Sequence, residues 1–259
     1  KRQAVSFILL MFSLFIIGLY DDKYDLNPFK KLFLSAFVIL ICLLIDESLI
    51  INELRFLSID YSIQLLNLSI PFTLLSILLF LNALNMFDGI DLQVSIYVFL
   101  LFIYFIFKFN IDFLIFLLPV MIFIIYFNFK KKLFLGDSGT NILAGLVSYI
   151  IIKEYNNDYL KISCEEIFLL MMLPGIDMLR LFLNRIIKGK NPFSSDNQHI
   201  HHLYLNIFPQ NLTILIIQLH IFLPILIFIF YNKAILYLLI LSIMLYLFNM
   251  IYLKLKIKH

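Results

Sequence analysis

"FIIGLYDDKYDLNPFKKLF", residues 15–33, joins two apolar runs through a short segment that carries three aspartates and three lysines. The flanks are continuously apolar, not periodic, and their lengths approach the ~20 residues with which a helix crosses a bilayer. The rest of the chain repeats that plan. It has 259 residues, of which 63% are hydrophobic and only 14% charged, with no Trp. Its mean hydropathy of +0.99 exceeds what a soluble domain of this size could cover. Nine candidate spans follow, at about 4–20, 31–46, 65–84, 92–108, 111–128, 139–152, 165–183, 212–231 and 233–253. Strands are not expected, because the runs do not alternate. The expected fold is therefore an all-α, polytopic integral membrane helix bundle, read as a single domain over 1–259 with a long polar loop at 184–211. Cys42 and Cys164 show neither disulfide nor metal-ligand spacing. No cleavable signal peptide is expected at the start, since no polar, small-residue exit follows the first apolar run.

If Asp21 is cytoplasmic, the connections on its side carry thirteen of the twenty basic residues, among them Lys31, Lys130 to Lys132, Arg185 and Lys188. That is the positive-inside pattern. An even number of spans separates Asp21 from "NALNMFDGID" (82–91), that cluster from "LGDSGT" (135–140), and that one from "SSDNQHIHH" (194–202). Parity thus predicts that all four polar clusters share the cytoplasmic face.

Asp21, Asp22 and Asp25 form a carboxylate patch whose charges repel unless a cation or proton intervenes; a solvated interfacial loop is the plainer reading. Asn82, Asn85, Asp88 and Asp91 recur every three residues around a helix end. Such groups are costly in lipid and point to a cavity or ligand, although a simple stop at Gly89 would also place them. Asp137, between Gly136 and Gly139 with Ser138 and Thr140 nearby, sits where a helix start can offer amides to phosphate and an oxygen to a hard cation, or merely cap itself. His199, His201 and His202 lie in the longest basic connection without a cysteine, which favours anion binding or proton handling over zinc. Asp177 stands one turn before Arg180, a spacing that suits an ion pair, whether structural or functional. Carboxylates, basic residues and histidines on one membrane face describe a divalent-cation and phosphate site, with a lipid as one substrate. The competing reading is a cation or organic-anion transporter, which requires ionisable groups near the bilayer midplane.

These motifs, in this order, resemble the polyprenyl-phosphate N-acetylhexosamine-1-phosphate transferases, glycosyltransferase family 4. "GLYDDKYDLNPFKKL" is similar to the family's Asp-Asp signature with Leu26, Pro28 and Lys31 downstream; "NALNMFDGID" to its Asn-Ala-x-Asn-x-x-Asp-Gly-x-Asp motif; and "LFLGDSGTN" to its Gly-Asp-x-Gly-Ser motif. The segment "LPGIDMLRLFLNRIIKGKNPFSSDNQHIHHLYL" is similar to its last cytoplasmic loop, and "HIHHL" after Asp196 resembles the branch that starts O-antigen, enterobacterial common antigen or teichoic acid synthesis, not the peptidoglycan branch.

The resemblance implies a bacterial inner-membrane enzyme with a cytoplasmic active site. It would pass N-acetylhexosamine 1-phosphate from a UDP-sugar to undecaprenyl phosphate, using Mg²⁺ or, in its place, Mn²⁺. By resemblance, Asp21 and Asp22 are catalytic, Asp137 and Asp22 are metal ligands, and Lys31, Asn82, Asn85, Asp88, Asp91, Phe134, Arg185, His199, His201 and His202 bind substrate. UDP-N-acetylhexosamine, undecaprenyl phosphate and the lipid bilayer are the expected partners, with homodimerisation a further expectation and nucleic acid not among them. Three departures stand out. Leu92 follows Asp91 where the family usually has Gly, Thr140 replaces a typical Ser, and a common Arg is replaced around Asn197. The family's N-terminal spans, and a loop with Pro and Gly-Gly, are missing from the chain, which is therefore expected to be N-terminally incomplete.

Overall fold

The computed structural model of the chain describes residues 1–157, 162–192, 198–231 and 234–258. Nine long helices among them coincide with the nine expected spans: α1 (Arg2–Tyr24), α2 (Pro28–Ile45), α3 (Ser69–Phe87), α4 (Gln93–Phe109), α5 (Phe113–Phe129), α6 (Gly136–Asn157), α7 (Cys164–Ile187), α9 (Gln210–Phe230) and α10 (Ile235–Lys258), with the short α8 (Ile200–Leu205) before α9. Helices of this composition satisfy every backbone group within the segment, as hydrocarbon demands. Among the described residues, five spans are both long and apolar enough to cross a membrane: Arg2–Tyr24, Pro28–Ile45, Leu66–Phe87, Gln210–Phe230 and Ile235–Ile257. α4 and α5 are apolar but shorter. The protein is a multi-pass membrane helix bundle. Among the described residues, strand is confined to the connection after α2, where β1 (Glu53–Phe56) and β2 (Tyr61–Gln64) form a two-stranded ribbon.

The chain gathers into two compact units. The first contains residues 1–55 and 62–163, the second residues 56–61 and 164–259. In the first unit α1 packs chiefly on α6 and α2, and α3 packs on α6 and α2. Leu14, Ile39, Leu43, Leu84 and Phe105 are buried there, while equally apolar side chains such as Phe107, Phe116 and Phe123 face outward. That outward face would be an aggregation liability in water and is what lipid requires. In the second unit α9 and α10 pack on α7. Residues 56–61 join this unit because the Glu165 carboxylate accepts from the Leu57 and Ser58 amides at 3.1 and 2.9 Å.

At the far ends of α1, α2 and α6 from the Asp-Asp motif, the first unit buries a polar cluster. Asp46 accepts from Ser6 Oγ at 3.1 Å and from Lys153 Nζ at 2.8 Å, and Lys153 also reaches Ser48. Burial alone would push the Asp46 carboxyl up, but the lysine and the serine donors hold it below the usual carboxylate range.

Candidate functional site

The Asp-Asp motif falls on the last turn of α1, because the helix continues through Tyr24 instead of stopping at Tyr20. Two carboxylates at a helix C-terminus oppose the local dipole, so something outside the helix must hold them. The chain turns at Asp25, in the left-handed region at φ 50° with its amide on the Asp21 carbonyl. α2 then starts on a capping signal: Asn27 accepts from the Phe29 amide, and Pro28 takes the first helical position. The Leu26 amide donates to Asp21 Oδ1 at 2.7 Å. This geometry brings Lys31, one turn into α2, back to Asp21 Oδ2 at 2.8 Å and also onto Asp137. Lys31 thus bridges the Asp21 and Asp137 carboxylates, so one ammonium serves both. The downstream Leu, Pro and Lys of the motif are thus the parts that fold Lys31 over Asp21.

Asp22 points the other way, to the start of α6. Its carboxylate accepts from the Asp137 amide at 2.7 Å and the Ser138 amide at 3.0 Å, capping α6 from another helix. Two of the amides that such a helix start could offer to phosphate are therefore already engaged. Gly136 makes the approach possible: it is left-handed at φ +63°, and a Cβ there would lie 2.8 Å from both Asp22 oxygens. Gly18, one turn before Asp22, allows the α1–α6 crossing itself, since its Cβ would lie 2.4 Å from Ser138 Cα.

The third cluster closes on the same point. Asn85 of α3 donates to Asp137 and, at 3.2 Å, to Thr140 Oγ1. Asp88 ends α3. Burial, followed by the charges of Asp137, Asp91 and Asp22, pushes its carboxyl up to about 7. Asn82 is not brought in by its hydrogen bond, which returns to the Leu78 carbonyl of its own helix at 2.7 Å. Phe134, before α6, is 77% exposed, a ring open to stacking. Leu92, at the position where the family usually has Gly, occupies the left-handed region at φ 74°, a conformation that only Gly adopts without strain. It is held there by Asn128, the buried polar residue near the end of α5. Asn128 Oδ1 accepts from the Leu92 amide at 2.5 Å, and its Nδ2 donates to the Leu133 carbonyl at 2.9 Å. One side chain thus ties the loop carrying Asp88 and Asp91 to the loop that carries Phe134 and leads into Asp137.

Three of the four sequence clusters accordingly meet in the first unit, at helix ends and not at mid-span. Among the described residues, no group of three or more His, Cys, Asp or Glu stands close enough to hold a metal by itself. The donor set nevertheless suits Mg²⁺, which takes one or two carboxylates and completes its octahedron with water and phosphate. The negative charges of Asp137, Asp91 and Asp22 that crowd Asp88 are what such a cation would relieve.

The histidine cluster belongs to the second unit. Asp177 of α7 forms the expected ion pair with Arg180 at 2.8 Å, and the same carboxylate meets His199 Nδ1 at 3.0 Å. The His199 and His201 rings stack at 5.2 Å between centroids, and His201 and His202 lie 4.3 Å apart. His201 is fully buried. That burial, with His202 and His199 adjacent, pushes its imidazole down to about 3, so it is a neutral ring. Arg185 is buried and donates to the Pro192 carbonyl at 2.8 Å, bracing the loop's first turn. Asp196 and Asn197 lie outside the described residues. Gly18, Asn128 and Tyr246, which matter to these arrangements, are given no role by the sequence motifs. A lone Gly or Asn inside an apolar run was the available signal for the first two.

Two curated relatives named undecaprenyl-phosphate alpha-N-acetylglucosaminyl 1-phosphate transferase, from Escherichia coli (strain K12) and Salmonella typhimurium, are 26% identical over 204 residues, covering 74% of this chain and 55% of each relative. A third with that name, from Pasteurella multocida (strain Pm70), is 28% identical over 235 residues, covering 79% of this chain and 60% of its own. The chain therefore spans a little over half the length of the curated relatives it matches. The model of glycosyl transferase family 4 matches residues 4–154, more than half of the chain and the region that holds the aspartate cluster. The chain belongs to glycosyl transferase family 4.

Proposed function

We propose that the protein transfers a sugar 1-phosphate, GlcNAc-1-phosphate or that of another N-acetylhexosamine, from a UDP-sugar to undecaprenyl phosphate. The products are a lipid diphosphate sugar and UMP, in the first membrane step of a cell-surface polysaccharide. The observation that carries this reading is the meeting of Asp21, Lys31, Asn85, Asp88 and Asp137 at one set of helix ends in an apolar bundle. An interfacial enzyme needs its polar groups there, where a polyprenyl phosphate head would lie. A transporter would want them along a path through the spans. The relatives' names support the substrate class. The cytoplasmic face of the bacterial inner membrane is the proposed side, on the basic-residue distribution.

In this reading Asp137 would hold the cation, with Asp88 in place of the expected Asp22, whose oxygens accept from the Asp137 and Ser138 amides, and Lys31 keeps Asp21 and Asp137 together until phosphate oxygens arrive. Mg²⁺, when bound, would neutralise charge on the pyrophosphate. Asp21, beside an ammonium and a second carboxyl, is placed to hold the proton of the incoming lipid phosphate. Asp22 supports Asp137 through its amide. Phe134 is the ring for the uracil; that the histidines bind phosphate or sugar is proposed from the resemblance alone. The roles are chiefly alignment and charge neutralisation. The test is lipid-linked product from radiolabelled UDP-GlcNAc, undecaprenyl phosphate and Mg²⁺ with the full-length protein. Failure with every UDP-N-acetylhexosamine rejects the reading. Asp137→Asn should abolish turnover while the protein still inserts; retained activity with normal Mg²⁺ dependence would remove its metal role.

A further inference from the structure

All four acceptor positions of the Asp177 carboxylate are engaged. Oδ1 accepts from Arg180 Nη2 at 2.8 Å and from the Tyr246 hydroxyl of α10 at 2.8 Å. Oδ2 meets His199 Nδ1 at 3.0 Å and the Ile200 amide at 3.3 Å. A carboxylate has about four lone-pair sites, so this one has none to spare for a metal or a substrate. The surrounding donors are themselves fixed: Arg180 Nε donates to the Tyr246 hydroxyl at 2.7 Å, and its Nη2 donates to the Gln198 carbonyl at 2.6 Å. Asp177, His199 and Tyr246 are buried, at 2%, 8% and 1% exposure.

We propose that Asp177 is a positioning residue that fixes the His199 ring with its Nδ1 carrying a proton, so that Nε2 is the nitrogen presented to a substrate oxygen. The ion-paired carboxylate accepts and does not donate, and two of its other partners, a guanidinium and a backbone amide, have no lone pair to offer in return. The nitrogen facing it must therefore be N–H. Because Asp177 also takes the Ile200 amide, it fixes the ring and the backbone that carries it with a single group. This arrangement is the one by which a carboxylate orients a ligating histidine from behind. Tyr246 and Arg180 complete the hold by fixing the carboxylate's own rotation. What His199 meets at Nε2 rests on the transferase reading above; the tautomer does not.

The experiment is nitrogen-15 NMR of the full-length protein labelled at histidine, with the His199 signal identified by its loss in His199→Gln. The expected spectrum shows a protonated Nδ1 at His199. An unprotonated Nδ1 at His199 in the unaltered protein overturns the proposal, whatever the activity. In Asp177→Asn the amide can donate, so the tautomer should shift toward Nε2–H, and kcat/KM for the UDP-sugar should fall roughly 10- to 100-fold. Tyr246→Phe should keep the Nδ1–H form and lose less activity than Asp177→Asn. If Tyr246→Phe keeps the tautomer and yet loses as much, the network acts through rigidity alone and the positioning role is wrong. Were no transferase activity found at all, the tautomer result would still decide this inference separately.

Discussion

Removing the Asp22 carboxylate should loosen the start of α6 in graded steps, and that gradation separates a cap from a ligand. The carboxylate accepts from two amides, at 2.7 and 3.0 Å. Bonds from amides to a charged acceptor are worth roughly 1.5–3 kcal/mol when dry. Asp22 is exposed, so the helix-cap scale of about 0.5–2 kcal/mol is the better guide to the whole contact. Asp22→Ala leaves both amides to water and should cost about 1–2 kcal/mol. Asp22→Asn keeps one acceptor oxygen, loses the charge and should cost about half of that. At ~1.4 kcal/mol per tenfold, amide hydrogen exchange at Asp137 and Ser138 should quicken roughly 5- to 30-fold in the alanine variant and less in the asparagine variant. Exchange measured by mass spectrometry on the detergent-solubilised protein, beside turnover, makes the comparison. Should Asp22→Ala abolish turnover while exchange at those amides and the Tm stay unchanged, Asp22 acts on substrate or metal and the capping account is refuted.

Gly18→Ala should displace the start of α6, because its Cβ would stand 2.4 and 2.6 Å from Ser138 backbone atoms; a loss of Tm with loss of activity checks this, and a silent variant would contradict the close crossing. The raised Asp88 carboxyl, at about 7, binds its proton more tightly folded than unfolded, so its contribution to stability should be lost as pH rises from about 4 through 7. Asp88→Asn should flatten that fall in a series of thermal melts without metal, and an unchanged slope would assign the fall to other groups. At Leu92, with φ 74°, Gly and Ala both forfeit the buried leucine. Gly alone relieves the left-handed strain, so Leu92→Gly should melt no lower than Leu92→Ala despite its extra chain entropy; a clearly less stable Gly variant would show that this backbone is unstrained.

Much of this architecture was legible because lipid imposes a plain code. Runs of apolar residues gave all nine long helices, and the i,i+3 spacing of Asp177 and Arg180 gave their ion pair. The motifs named Asp21, Asn85, Asp88 and Asp137 as neighbours, and the first unit brings them together. What was not legible depends on contacts distant in sequence. Nothing local in "YDDKY" says that its second aspartate turns to amides of residues 137 and 138, or that Lys31 bridges Asp21 to Asp137. Leu92 departs from the motif the chain resembles, and only its backbone angle shows that this position is a left-handed turn held by Asn128. Asn82 shared the spacing of the motif but bonds to its own helix, because a three-residue interval walks around a helix and does not keep every member on one side. The short ribbon at 53–64 lies outside the apolar runs and so carries no comparable signal.

The Ser6–Asp46–Lys153 cluster gives the first unit a mechanical property. α1, α2 and α6 are riveted at one end through Asp46 and at the other through Asp21, Asp22 and Lys31. Sixteen residues of α1 separate Ser6 from Asp22, a strut of about 24 Å at 1.5 Å per residue. A helix pinned at both ends cannot piston, since a slide of one turn, about 5.4 Å, would shear both rivets together. These three helices therefore form a stiff frame, and movement within the unit must come from bending between the rivets or from helices outside the frame.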